Sequence, residues 1–419
     1  PGGTHFRTHW SPILALLWPL IRMTHSPLSL QIAQVVLIAL TAVPLYRLIE
    51  RYAGTACALR CAWLCLLYPP LLANAFAEFH ELAFYPVLTL SLIWAADRAR
   101  WGWFAVFAAL LVLVREDACL DLAIIGIALA LVGASARQKS ARGLLYGEPI
   151  QPLALAAAGT SLTLLAAGSL AFYAGVVLTR LGPWAPSHFY QYAFARGPLQ
   201  TALSIFTHPV DLLRAVATRG RLTYLLEAFV PLALLPLLTP WTLLALPAFA
   251  GILLSSDQSV WRMGMHYVLL WAPWMVLAAS FALVRLAQRR SERIARIWWR
   301  AAISLCVVFL IAFNPMHPAH YLRAEPYQHS ADVMRAFACV PRDAEVVTHD
   351  EWFAHEAIAY PNSSEIPDRL GSYRGYIVYG SDWQSGHFLK VKPQIEAGVR
   401  AGTLLPVCRF GSVAVVRTR

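Results

Sequence analysis

Charge is scarce in this chain: of 419 residues, only 14% are Asp, Glu, Lys or Arg. A soluble globular protein carries about 25%, so a water-solvated surface over most of the chain is excluded. Hydrophobic residues make up 58% and the mean hydropathy is +0.54, which makes lipid the main solvent. Several catalytic signatures are missing as well. No G-x-G-x-x-G, P-loop, G-x-S-x-G, Ser-His-Asp or Cys-His spacing can be read, and no repeat recurs at a solenoid period. A hydrolase therefore finds no local support. The chain opens at Pro1 with no Met, no charged n-region and no cleavage site before its first apolar span. The expectation is that upstream sequence has been lost.

Cysteine is sparse, with seven in all. Cys57, Cys61 and Cys65 recur every fourth residue and would share one helix face. They read as small apolar filler, with metal ligation as the alternative. Cys339 and Cys408 fall in a polar C-terminal region, where an oxidising compartment would permit a disulfide.

What charge there is alternates along the chain. Arg47–Arg51, Asp97–Arg100, Arg137–Arg142 and Arg285–Arg300 form basic gaps between apolar spans. The other gaps hold acids and histidines: Glu78 to Glu81, Arg115 to Asp117, and Asp257 to His266. Short loops rich in Lys and Arg stay on the cytoplasmic side, so the acid/His set is expected at the outer surface. The same bias accounts for the net charge of +11, so the bilayer is the expected partner and nucleic acid is not. Many of the 15 Trp residues, such as Trp101, Trp103, Trp298 and Trp299, sit near span ends as interfacial anchors.

A membrane helix needs about 20 apolar residues. Spans are predicted at 27–46, 54–73, 80–96, 154–179, 222–238, 264–284 and 297–313, with shorter ones at 102–114, 118–134 and 240–254. Together they make about ten crossings. The pair around Arg115–Asp117 reads either as two thin helices or as one broken, re-entrant feature. The expected fold is an all-α integral membrane bundle with a small external α/β domain at the C-terminus. Its parts are an outer interfacial segment 1–22, a polytopic domain 23–314 with an outer loop 181–221, and the α/β domain 315–419. Within that loop, Thr207-His208-Pro209 opens an amphipathic helix suited to the membrane surface. In the last domain, Val333, Met334 and Phe337 are spaced as in a helix. Runs Ala344–Thr348, Tyr376–Tyr379 and Val413–Arg417 read as strands, and Pro393–Ala401 as a second helix.

Three constellations are candidates to carry chemistry, each set against a plain structural role. Glu78, His80 and Glu81 open a span on the outer side and suit a general base, a metal ligand or a partner for sugar hydroxyls. The competing role is a solvated loop whose acids favour a helix N-terminus. Arg115, Glu116 and Asp117 interrupt an otherwise continuous apolar run, and Asp121 follows one turn later on the same face. Asp257, Arg262, His266 and Tyr267 add a third outer cluster. His5 and His9 have a spacing able to bind zinc but lack a nearby third ligand. Arg196, Arg214, Arg219 and Arg221 are available for a lipid phosphate or for anionic headgroups in general.

The stretch His5-Phe6-Arg7-Thr8-His9-Trp10-Ser11-Pro12-Ile13 resembles an HF-x-x-HFSPI signature. Leu67-Tyr68-Pro69-Pro70, Glu78–Leu82, Arg115-Glu116-Asp117 and Gly264-Met265-His266-Tyr267 follow in order. As far as about residue 313, the chain resembles a bacterial family of multi-pass membrane proteins known only as a domain of unknown function. That family looks distantly like the GT-C glycosyltransferases, which take sugars from polyprenyl-phosphate donors at the outer membrane face. Two departures stand out. GT-C enzymes rely on an acid in the first outer loop, and this chain begins after that point. The family's Asp-Phe-His-Pro-Glu pattern is here Glu78-Phe79-His80-Glu81, without the Pro.

The resemblance implies a GT-C-like glycosyltransferase of the bacterial inner membrane, with a polyprenyl-phosphate-linked sugar as partner. Glu78, His80, Glu81, Glu116 and Asp117 would be its catalytic residues. His5, His9, Arg115, Asp257, Arg262, His266 and Tyr267 would bind substrate. No metal ligand is assigned, and the cofactor is left open, a divalent metal being compatible. The alternatives are a transporter or lipid-binding protein, and a non-catalytic scaffold.

Overall fold

The structure is a computed structural model that describes residues 9–136, 152–181, 207–255, 258–312, 325–349, 352–353, 359–367, 369–371, 373–382 and 388–419. It divides into two compact units. The larger comprises residues 4–19 and 30–317, and the smaller residues 1–3, 20–29 and 318–419.

The larger unit is helical. Its main helices are α1 (Leu28–Leu40), α2 (Ala42–Leu67), α3 (Phe84–Asp97), α4 (Trp101–Val112), α5 (Glu116–Ala136), α6 (Pro152–Phe172), α7 (Val268–Arg289) and α8 (Glu292–Ala312). Five stretches among the described residues are long and apolar enough to cross a membrane: Leu28–Leu67, Glu116–Ser135, Pro152–Val177, Val268–Arg289 and Glu292–Ala312. The expected ten drew on shorter segments. The predicted spans 27–46 and 54–73 fall largely in one 40-residue apolar run, and the end of the second belongs to a separate helix, Pro69–Ala75. The apolar run changes direction at Gly54, whose φ of 72 combined with ψ of 173 suits only a residue without Cβ.

The segment predicted as a span over 222–238 is broken. Helix Arg219–Phe229 gives way to short 3-10 turns at Val230–Leu232, Leu235–Leu238 and Pro240–Ala245. Pro231, Pro236 and Pro240 remove backbone donors and block a continuous helix. Ala233 and Leu234 turn the chain with φ of +52 and +59. The α-helical part of 240–254 is only Leu246–Leu254.

Helix α7 is buried along nearly its whole length, with Trp271 and Trp274 fully enclosed. Trp271 Nε1 donates to the Tyr224 hydroxyl at 2.7 Å, and the Tyr68 hydroxyl donates to Ala228 O at 2.6 Å. The other long helices leave large apolar side chains outside, including Trp63, Leu131, Leu164 and Ile311. Polar groups would be costly on that surface, and apolar ones suit lipid.

Helices α5 and α6 approach backbone to backbone. A Cβ on Gly159 would lie 2.4 Å from Ala130 N and 2.5 Å from Gly126 O. Glycine is what admits this separation, as small residues do between membrane helices.

The helices also separate two kinds of charge. At one end, Arg51 Nη1 lies 3.2 Å from Asp97 Oδ2, and the Tyr52 hydroxyl donates to Asp97 Oδ1. Gln288 Nε2 donates to Tyr52 O at 3.2 Å, and Arg60 pairs with Glu292. Three basic gaps thus meet. The other ends of α3 and α7 begin beside Glu81 and His266. With 22 residues, α7 extends about 33 Å at 1.5 Å per residue, close to the thickness of a hydrocarbon core.

The smaller unit contains a five-stranded sheet of order β2-β1-β3-β5-β4. The strands are β1 (Val346–Thr348), β2 (Ser363–Glu365), β3 (Tyr376–Gly380), β4 (Leu404–Phe410) and β5 (Val413–Thr418). β1 runs parallel to β2 and β3, while β5 is antiparallel to β3 and β4. Strand alternation divides the core into two faces. Val346, Val378 and Val415 meet helix Glu325–Phe337 through Val333 and Phe337. Val347, Ile377 and Val416 meet helix Phe388–Arg400 through Phe388, Val391 and Ile395. The three predicted strands and both helices are present; β2 and β4 are additional. Cys339 and Cys408 form a disulfide that ties the end of the first helix to β4.

Candidate functional site

Helix α4 stops at Val112 and α5 starts at Glu116, so Arg115 sits in a tight break between two apolar helices. The segment before the first helix closes over this break, with Ile13 N–H donating to Leu113 O at 3.0 Å. That contact brings His9 and Trp10 to Glu116. His9 Nδ1 lies 2.6 Å from Glu116 Oε1, and Trp10 N–H donates to Glu116 Oε2 at 2.8 Å. Both carboxylate oxygens of Glu116 are committed.

Arg115 is the hub. Only 2% exposed, it reaches Asp117 Oδ2 at 2.8 Å through Nη2 and lies 3.7 Å from Glu81 Oε1 through Nη1. Nη1 also donates to His80 Nε2 at 3.2 Å. A guanidinium has no lone pair to accept with, so Nε2 of His80 must accept. The His80 ring stacks on His266, with centroids 3.4 Å apart and planes within 10°. His266 touches Tyr267, and the Arg115 guanidinium lies 5.3 Å from the Tyr267 ring centroid. Burial, then the positive Arg115 and His9, push His266 down to about 2. Its imidazole is therefore neutral at physiological pH.

Two buried amides hold this arrangement and were not anticipated from the sequence. Gln34 on α1 donates to Asn74 O at 2.8 Å and Ala77 O at 2.9 Å, and accepts from His80 N–H at 2.8 Å. Asn74 donates to Pro70 O and Met263 O, both at 2.9 Å. Polar amides at such positions in apolar runs were the available signal. Deeper along α5, buried Asp121 accepts from the Tyr85 hydroxyl at 3.1 Å.

The structure thus brings together His9, His80, Glu81, Arg115, Glu116, Asp117, His266 and Tyr267. Glu78 has an exposed side chain and contributes its backbone carbonyl to Gln34 at 3.1 Å. Arg262 is exposed. His5, Asp257 and Arg196 lie outside the described residues. Arg221, a candidate phosphate ligand, packs over the Trp261 ring at 4.2 Å and donates to Ser255 O at 2.8 Å. Arg214 faces Asp211 at 3.5 Å. Among the described residues, no group of three or more His, Cys, Asp or Glu side chains has a geometry able to hold a metal ion.

The site combines a fixed cation, several carboxylates and a neutral imidazole in a water-poor setting. Such a set can orient a hydroxyl, take its proton and stabilise developing charge. A family model described as "Predicted membrane protein (DUF2079)" matches residues 3–357. No curated protein matches the chain.

Proposed function

The chain belongs to that family of predicted membrane proteins, and we propose, from its site geometry, that its acid/His end is the active site of a GT-C-like glycosyltransferase. The donor is a sugar linked to polyprenyl phosphate, presented at the outer membrane face. The observation that carries this reading is Asp117: Oδ2 rests on Arg115, while Oδ1 is buried without a hydrogen-bond partner. A carboxylate so held is oriented and retains one oxygen for an acceptor hydroxyl. In the reaction, Asp117 takes the acceptor proton as the acceptor oxygen attacks the anomeric carbon, and the sugar–phosphate bond breaks. Arg115, or Arg262 at the rim, balances charge on the departing phosphate. Glu116, committed to His9 and Trp10, positions the helix start instead.

Orientation follows from the two charged ends. The basic end faces the cytoplasm, and the acid/His end faces outward, in a bacterial inner membrane. The C-terminal α/β domain lies on the outer side, where an oxidising compartment maintains the Cys339–Cys408 disulfide. Crossings beyond the five long apolar stretches come from α3, α4 and the two limbs on either side of Gly54. A transporter would place its polar groups near the bilayer midplane between repeats; here they gather where α5 and α7 begin.

The test is transfer from radiolabelled polyprenyl-phosphate sugars by the full-length protein in nanodiscs, over a broad acceptor panel. Asp117→Asn is expected to lower turnover at least about 100-fold. No transfer from any donor by the wild type would overturn the reading.

A further inference from the structure

Four buried side-chain atoms of this cluster have no hydrogen-bond partner, Glu81 Oε1, Arg115 Nε, Asp117 Oδ1 and His266 Nε2, and a fifth, Tyr173 Oη, belongs to the residue next to Phe172, whose ring meets Trp10. Buried polar groups in folded proteins are nearly always paired, so these atoms stand out as hydrogen-bonding capacity that the protein's own side chains do not use.

Tyr173 was singled out neither by motif nor by spacing. It is 5% exposed and lies where α6 departs from regular geometry. The helix is α-helical to Phe172, widens into a π-turn at Tyr173–Val177, and resumes at Leu178. A π-turn inserts an extra residue and re-aims side chains, and such turns concentrate at functional sites. The adjoining Phe172 ring lies 5.7 Å from that of Trp10, whose N–H holds Glu116.

The unpartnered atoms also indicate a ligand class. Glu81 and Asp117 offer acceptors, Arg115 Nε offers a donor, and a phenol or neutral imidazole can serve both ways. Among these unpartnered atoms the two carboxylate oxygens outnumber the one guanidinium donor, so they suit the hydroxyls of the sugar rather than the phosphate, which is left to the paired Arg115 Nη atoms or to Arg262 at the rim. Hydroxyl groups, each donating and accepting, match the mixture. We propose that Tyr173 is a ligand-contacting residue, and that its hydroxyl, with Arg115 Nε and Asp117 Oδ1, hydrogen-bonds the hydroxyls of a neutral polyol such as a sugar ring. Identifying that polyol as the transferred or accepting sugar rests on the transferase reading; the role of Tyr173 does not.

The experiment uses full-length protein in nanodiscs and the Tyr173→Phe variant. Without ligand, the variant should melt at or above the wild-type temperature, since it loses only an unpaired hydroxyl. A fall of several degrees would mean a structural partner and would overturn the proposal. Tryptophan fluorescence then follows binding of farnesyl-phosphate-linked mannose and of farnesyl phosphate alone. The variant should bind the sugar-bearing probe about tenfold more weakly and the bare phosphate equally well. Equal binding of the sugar probe by both proteins overturns the proposal. If the wild type binds neither probe, the transferase reading fails, and Tyr173→Cys decides the site by itself. Labelling by a small water-soluble methanethiosulfonate supports a polar pocket there, and absence of labelling overturns it.

Discussion

The side-chain amide of Gln34 accepts the backbone N–H of His80 at 2.8 Å, across 46 residues of sequence. The same amide donates to carbonyls of Asn74, Ala77 and Glu78. One buried side chain on α1 therefore sets the loop that presents His80 to Arg115 and His266.

Gln34→Leu keeps the volume and removes every one of these bonds. Leaving a buried donor unpaired costs about 1–3 kcal/mol, so the apparent melting temperature in nanodiscs should fall. Hydrogen exchange over residues 74–80 should accelerate. Unchanged exchange there would mean that the loop is held by other contacts.

The contact between α5 and α6 predicts a paired result. Gly159→Val drives a side chain into the backbone of Ala130 and Gly126, and should lose about 3 kcal/mol, the upper end for overpacking. Gly168→Ala, on the same helix, meets nothing within 4 Å. It should be neutral, or stabilising by up to about 1 kcal/mol through helix propensity. Thermal melts of the two variants side by side check both.

His266 makes stability depend on pH. The folded protein holds its pKa down at about 2, whereas an unfolded histidine titrates near about 6.5. Below that pH the unfolded chain binds a proton that the folded one refuses. Stability from this group is complete above about pH 6.5 and is lost as pH falls, at up to roughly 1.4 kcal/mol per pH unit. Melts between pH 7 and pH 5 should show a steeper loss for the wild type than for His266→Asn. Parallel curves would remove His266 as the cause.

The disulfide closes a segment of 69 residues in the smaller unit. Cys339→Ser with Cys408→Ser should destabilise that unit by about 2–4 kcal/mol, largely by freeing the unfolded chain. Limited proteolysis of the C-terminal region reads this loss. In cells, a maleimide polymer should label Cys339 and Cys408 only after reduction; labelling without reductant would place the domain in a reducing compartment.

Much of the architecture is written locally. Low charge and long apolar runs determine a membrane protein, because hydration of buried charge is too costly to replace. The alternation of basic and acid/His gaps anticipated two chemically different ends, and three of the five C-terminal strands were legible as β-like runs, while β2 and β4 were not. The break after Val112 was legible because Arg115, Glu116 and Asp117 cannot lie within a lipid-facing helix. Local hydropathy misjudged residues 222–238, since composition averages over Pro231 and Pro236 while the backbone does not, whereas 240–254 is a short apolar helix as expected.

The site needed the tertiary structure. His9 meets Glu116 across 107 residues, and Gln34 meets His80 across 46. No periodicity encodes such pairings, which arise when helices pack and bring distant ends together. Tyr173 lies at a π-turn that the sequence does not announce, and Glu78 gives Gln34 its carbonyl while its side chain stays exposed. The amino-acid sequence by itself determined the solvent, the two ends and the residue types available. Packing decided which side chains meet, because a contact depends on three-dimensional register that local composition does not contain.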